Sequence, residues 1–192
     1  MTTPNLHAVE SADIRGQKTR LRPMRPDEAP LFYAWATDPE VQPFWGGRDH
    51  YESLDDFLGH GHWEPHYFDG SQPHRGRSFT IEAGSRPVGM IAYNRVDSAN
   101  RSTEIDIVIG DPAYRDRGYG TDAVRAFLGF LFDSVGLHRV YLTTYDYNLR
   151  AQRAYEKVGF LREGVMRQSD WVDGRWVDAV LYGILEHDFR RT

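Results

Sequence analysis

Three short runs of strand character follow one another closely between residues 77 and 110: RSFTIEA (77–83), PVGMIAYNRV (87–96) and STEIDIVIG (102–110). The joins, Gly-Ser-Arg and Asp-Ser-Ala-Asn, are short and polar, so the three strands are expected to run antiparallel as a meander. The pattern then becomes helical. Ala123, Val124, Phe127, Leu128, Leu131 and Phe132 share a face over 120–134, with Gly136 as a stop. The next strand, HRVYLTTY (138–145), has to return through a right-handed crossover, parallel to 102–110.

The flanks fit the same plan. TRLRPMR (19–25) reads as an edge strand, confined there by Pro23. PDEAPLFYAWATD (26–38) reads as a helix with acids in its first turn and Pro39 beyond its end. Between residues 41 and 77 the period is lost except in SLDDFLGH (53–60), a short helix; such irregular stretches are usually functional or mobile. NLRAQRAYEKVG (148–159) is a helix capped by Asn148 and ended by Gly159. Residues 160–185 form two alternating runs about Asp173-Gly174, a strong hairpin signal. The expected fold is α+β, an α/β/α sandwich: a mixed, mostly antiparallel central sheet with one parallel strand pair, flanked by helices.

At 192 residues the chain suits one domain, taken as residues 19–192 behind a flexible tail of residues 1–18. The absence of cysteine excludes disulfides and thiolate chemistry. A net charge of -5 without a basic run argues against nucleic acid. The most apolar segment, 126–132, is too short to cross a membrane, and the N-terminus lacks a signal peptide's pattern, so a cytoplasmic protein is expected.

The stretch YRDRGYGTDA (114–123) carries chemistry. Gly118 and Gly120 let backbone approach a ligand without a Cβ between them, and the helix that opens there presents free N–H groups and a partial positive charge. That is an anion site, and Arg115 and Arg117 are placed to grip a phosphate at its rim. Gly118-x-Gly120-x-x-Ala123 also matches the dinucleotide-binding fingerprint. There, however, the first glycine ends its strand, whereas here residues 111–117 intervene and too few parallel strands follow.

With Arg115-x-x-Gly118-x-Gly120 after a strand and NLRAQRAYEKVGF (148–160) some thirty residues on, the chain resembles the GNAT acetyltransferase superfamily, over residues 19 to about 185. Within it, the chain looks like the Rim-type ribosomal-protein N-acetyltransferases and the related spermidine and aminoglycoside enzymes. The resemblance implies a sheet whose two central parallel strands splay apart. It implies that acetyl-CoA is bound by Arg115, Arg117, Gly118, Tyr119, Gly120 and Thr121 at its pyrophosphate. Ile107, Val108 and Ile109 would pair with its pantetheine arm, and Asn148 would touch that arm, unless it is simply a helix cap. A serine often found at the position of Ala151 in Rim-type enzymes is absent here, which shifts weight to Tyr155 as the acid.

The implied reaction is acetyl transfer to a primary amine of a small molecule, or to a protein N-terminus, by direct attack in a ternary complex. A bulkier donor such as succinyl-CoA, or a non-catalytic acyl-CoA-binding module, is the alternative. An amine with a pKa of about 10.4 must lose a proton first, and Glu104 or Asp106, on one face of the strand, are the candidate bases, with Glu104 preferred and Asp106 set against the substrate. The gap from a glutamate near 4.3 is about 8 kcal/mol, which burial or a water relay has to close. Proton donation from Tyr155 (about 10) to a thiol (about 8.5) is uphill by only about 2 kcal/mol. An oxyanion would be met by the N–H of Val108 or Ile109.

The acceptor pocket is expected in residues 41–77 and the 171–176 hairpin, with Trp45 and Trp171 as substrate contacts. Aromatic residues there (Phe44, Tyr51, Trp63, Tyr67, Phe68) alternate with acids such as Asp49, Glu52 and Glu64, which suits an organic cation, although Arg48, Arg75 and Arg77 share the region. His62 and His66 are four apart, but Pro65 breaks a shared helix and no third ligand follows, so no metal is expected. Homodimers are common among the Rim-type relatives, and the aromatic hairpin is a candidate interface.

Overall fold

The computed structural model describes residues 3–10, 12–45, 51–59 and 64–191. The meander is present as strands β3 (Gly76–Ala83), β4 (Arg86–Asp97) and β5 (Ser102–Ile109). Ahead of it come β1 (Ile14–Arg15), β2 (Arg20–Pro23), and the helices α1 (Ala29–Ala36), α2 (Leu54–Leu58) and α3 (His66–Asp69). After it come α4 (Tyr119–Gly129), β6 (Arg139–Tyr145), α5 (Leu149–Val158), β7 (Leu161–Val172), β8 (Arg175–Leu185) and α6 (Glu186–Phe189). A π-turn, Phe130–Val135, extends α4 to Gly136, whose φ of +81° ends it as expected.

One eight-stranded sheet runs in the order β1-β2-β3-β4-β5-β6-β8-β7. Every neighbouring pair is antiparallel except β5 and β6, which are parallel. The mixed sheet with one parallel pair is thus borne out. Both faces are covered. Along β4, Ile91 and Tyr93 enter a core beneath α4 and α5, while Met90 and Ala92 enter a second core with Phe32 and Trp35 of α1 and Phe57 of α2. Opposite burial of successive residues explains why this strand reads as a nearly continuous apolar run.

The tail expected over residues 1–18 is corrected in its described part. Val9, Ala12 and Ile14 are buried in the core under α4, the Asn5 N–H donates to the Val135 carbonyl at 2.7 Å, and β1 pairs with β2. Three apolar residues at irregular spacing set up no period, yet they cover an apolar flank of α4 that would otherwise face water. The helix expected over 26–38 is shorter, because Pro26–Glu28 is a 3-10 turn and α1 proper starts at Ala29. No helix among the described residues is long and apolar enough to cross a membrane.

Candidate active site

The parallel ladder between β5 and β6 has three rungs, Ser102↔Arg139, Thr103↔Val140 and Glu104↔Tyr141. Beyond Glu104, β5 keeps β4 on one side but, among the described residues, has no strand on the other, while β6 continues alongside β8. A cleft of about 480 Å³ opens in this gap. Its walls are residues 105–109 of β5, residues 143–145 of β6, the first turn of α4, one face of α5 and a strap formed by residues 40–45. Backbone groups of β5 that face the gap lack a ladder partner, and Ile107, Val108 and Ile109 all line it.

The glycine loop closes one end. Gly118 is the α4 N-cap, with φ +82°, and carries no capping side chain, so the N–H groups of Tyr119, Gly120 and Thr121 find no acceptor within the helix. The acid of that turn, Asp122, points the other way, to Gln17, Lys18 and Thr19. A Cβ on Gly120 would touch Ile109 Cγ1 at 3.5 Å, against the cleft wall. Lys18 donates to the Arg117 carbonyl at 2.9 Å and lies 5.7 Å from the Tyr119 ring centre. A helix N-terminus without a cap, flanked by lysine and arginine, suits a diphosphate, and the unpaired edge of β5 suits an extended amide-bearing arm.

Arg115 lines the cleft and is also engaged by its own chain. Its guanidinium donates to the carbonyls of Ile109 (3.1 Å) and Gly110 (2.7 Å) and pairs with Glu40 at 3.4 Å, while its N–H donates to Pro112. The side chain therefore braces the loop from beneath, because the chain reversal after β5 leaves two carbonyls that need a donor. Gly110 is required at this point, since a Cβ would clash with the Trp35 ring. The side chains of Arg117 and Tyr119 stay outside the cleft, and the Tyr119 ring packs edge-on against Tyr114 at 5.0 Å.

At the other end Asp106 and Tyr155 share the cleft. Tyr155 is buried between the rings of Phe160 and Tyr182, each 6.0 Å away. Burial first, and the charge of Asp106 second, push its phenol well above the ordinary 10. Asp106 accepts a hydrogen bond from the Asn94 amide. Glu104, preferred from sequence, does not line the cleft; Thr143 donates to it at 3.4 Å. The reason is the ladder: Glu104 is on the last paired rung, where β6 still lies alongside, and Asp106 is two residues past the split.

Asn148 lines the cleft as a helix cap, accepting the Ala151 N–H at 3.3 Å and donating to the Thr144 hydroxyl at 3.2 Å. Trp45 lines it from the strap, which is tied down by the Tyr147 hydroxyl on the Pro43 carbonyl at 2.6 Å. Trp171 does not reach it. It pairs across the hairpin tip with Trp176 at 5.2 Å and is half exposed. Its neighbour Asp170 lines the cleft instead, just after the ladder shifts register between Met166 and Asp170. Phase counted along the alternating run cannot locate such a bulge. Thr143, Arg150 and Arg153 also line the cleft, the last two from within the 148–160 run, and none of the three has a role predicted from sequence.

Arg48, Asp49, His50, His60, His62 and Trp63 lie outside the described residues. His66 is buried against Tyr67, and burial together with Arg75 lowers its pKa below 6.5. Among the described residues no three His, Asp or Glu side chains converge on a metal position.

The acetyltransferase (GNAT) domain family matches residues 18–161. The spermidine N(1)-acetyltransferase of Escherichia coli K12 is 24% identical over 173 residues, covering 88% of this chain and 87% of that protein. The Vibrio cholerae enzyme of the same name is 25% identical over 150 residues, 78% of this chain and 82% of its own. A crystal structure of the spermidine N-acetyltransferase from Vibrio cholerae with CoA and spermine shares the fold, with a TM-score of 0.78, 22% identity, and coverage of 90% of this chain and 98% of that one. The family match, the splayed strand pair and the uncapped glycine loop agree: the chain belongs to the GNAT family and is an acetyl-CoA-dependent N-acetyltransferase.

Proposed function

We propose that the protein acetylates a primary amine of a small polycation, a polyamine or a molecule like one, with Asp106 receiving the amine and Tyr155 serving the departing thiol. The observation that carries the reading is that one cleft, opened where the parallel ladder ends, is lined by both groups. Acetyl-CoA, when bound, supplies the activated acetyl thioester. The N–H groups of residues 119–121 would hold its diphosphate, and Ile107, Val108 and Ile109 its amide-bearing arm.

Among the described residues, the cleft is lined by the carboxylates of Glu40, Asp106, Asp116 and Asp170 and by the cations Arg115, Arg150, Arg153 and Lys157, with Glu40 paired to Arg115 and Asp116 to Arg150. Asp106 and Asp170 bring the negative charge that an ammonium group would meet, in keeping with the names of the spermidine-acetylating relatives. An ammonium with a pKa of about 10.4 is drawn in by charge, and the carboxylate beside it takes its proton, directly or through water. Tyr155, kept protonated by burial, holds a proton for the sulfur. The protein is proposed to act in the cytoplasm. It is proposed to pair as a homodimer through the edge strand β7, which exposes Leu161, Val165 and Met166.

The test is release of the CoA thiol with a panel of spermidine, spermine, an aminoglycoside and an N-terminal peptide, each with acetyl-CoA and with succinyl-CoA. Turnover confined to acetyl-CoA and the polyamines is expected. Preference for the peptide or for succinyl-CoA would replace the substrate assignment, and no turnover with any pair would sink it.

A further inference from the structure

Behind Asp106, two polar side chains from two other elements stand in line. Tyr67 on α3 donates its hydroxyl to Asn94 Oδ1 at 2.9 Å, and Asn94 on β4 donates its amide N–H to Asp106 Oδ2 on β5. Asn94 lies opposite Glu104 and Ala92 opposite Asp106, so Asn94 and Asp106 are diagonal neighbours on one sheet face. An ionised carboxylate only accepts hydrogen bonds. The NH₂ end of Asn94 is therefore fixed toward Asp106 and its oxygen toward Tyr67, which has to donate. Burial, then the charge of Asp106, raise the Tyr67 phenol above 10, in keeping with that direction.

The fold makes specific room for this line. Gly76, opposite Asn94 on β3, has φ +147°, and a Cβ there would come within 2.5 Å of the Tyr67 ring and 2.7 Å of the Tyr93 carbonyl. The β4–β5 ladder slips just after Asn94, where Arg95 has φ +31°, and the Thr103 hydroxyl donates to the Asn94 carbonyl. A second polar network on the sheet, Arg22 with Glu28, Glu82 and Thr80, runs outward through Arg20 to Asp13. The Tyr67 line instead ends on a carboxylate that lines the cleft.

We propose that Tyr67 and Asn94 are positioning residues, which hold the Asp106 carboxylate in the orientation in which it lines the cleft and is presented to the amine. The proposal rests on the reading of Asp106 as the amine's receptor. On it, α3 serves to deliver one hydroxyl to the back of the site.

The test is steady-state kinetics of the full chain with acetyl-CoA and spermidine, or whichever panel amine turns over fastest, together with thermal melts. The variants are Asn94→Ala, Tyr67→Phe, the two combined, and Asp106→Asn. Asn94→Ala is expected to lower kcat about tenfold or more, the scale of a misplaced reacting group, with the KM for acetyl-CoA unchanged. Tyr67→Phe should lower it less. The combined variant should match Asn94→Ala alone, because on this reading Tyr67 acts through Asn94. Losses that multiply, or that track the melting temperature, would overturn the proposal. Full activity in Asn94→Ala beside an inactive Asp106→Asn would also overturn it while leaving the role of Asp106 standing. Full activity in Asp106→Asn would remove both. Tyr67→Phe deletes a single oxygen, so if Asn94→Ala fails to fold, undiminished kcat in Tyr67→Phe is decisive against it.

Discussion

The carboxylate of Asp122 accepts the hydroxyl of Thr19 at 2.7 Å. It also takes the N–H groups of Gln17, Lys18 and Thr19, at 2.9, 2.9 and 3.0 Å. An acid in the first turn of a helix ordinarily serves the helix's own N–H groups or its dipole. This one ties down the N-terminal segment and leaves the first turn of α4 to the cleft. Burial opposes its ionisation, but hydrogen bonds from Thr19, Lys18 and Gln17 outweigh that and hold its pKa below 3.8.

A folded pKa below the unfolded one adds stability in full above the ordinary carboxyl value, and that stability is lost as pH falls through the depressed value. Asp122→Asn would put an NH₂ against N–H donors, with an expected loss of about 1–3 kcal/mol near neutral pH. Urea unfolding should show the gap to the wild type narrowing below pH about 4. A gap that stays constant with pH would count against the assignment.

Arg22 lies between two buried acids, Glu28 at 2.6 Å and Glu82 at 2.7 Å, and Glu28 also accepts the Thr80 hydroxyl at 2.9 Å. These contacts fix the turn that launches α1, whose Trp35 packs on Gly110 at the cleft. Removing one partner leaves a buried charge short of compensation, so Glu28→Gln should cost about 3–5 kcal/mol in chemical denaturation. A loss below about 1 kcal/mol, the value of an exposed pair, would mean that Glu82 alone satisfies Arg22.

The meander, the crossover helix and the Asp173-Gly174 hairpin were legible because each is set by local period and turn chemistry. The N-terminal segment was not, since Val9 and Ile14 gain burial from α4, over a hundred positions away, and form no local pattern. Glu104 and Asp106 present the same chemistry on the same face; only the rung at which β5 and β6 part separates their roles, and that is a property of the packed sheet. Tyr67 and Asn94 meet through a strand register that neither segment carries alone.

Arg115 and Arg117 have opposite environments in one motif. The first is nearly enclosed and holds the Ile109 and Gly110 carbonyls, while the second is exposed beside the loop. Arg115→Ala should lower the melting temperature and raise the KM for acetyl-CoA together, because two part-buried carbonyls lose their donor. Arg117→Ala should leave the melting temperature alone and weaken acetyl-CoA binding chiefly at low salt, as expected of an exposed charge. Melting curves and the KM at two ionic strengths separate the two; a salt-dependent effect of Arg115→Ala without destabilisation would restore it to a direct phosphate contact.

Tyr155 is buried, and burial first and the charge of Asp106 second raise its phenol above 10. It therefore keeps its proton throughout the range in which an amine of pKa about 10.4 is being deprotonated. Tyr155→Phe retains the ring that packs against Phe160 and Tyr182 and removes only the donor. Its kcat should fall by about 10²-fold, the lower end for a positioned proton donor, with the KM for acetyl-CoA little changed. The wild-type kcat should show no limb from this phenol between pH about 7 and 10. Stability carries the opposite sign from Asp122: a raised folded pKa stabilises below the unfolded value near 10 and is lost as pH climbs through the folded one. Alkaline melts should accordingly show a shallower decline for Tyr155→Phe than for the wild type. An unchanged kcat in a variant that melts normally would move the proton to another group and leave Tyr155 as packing.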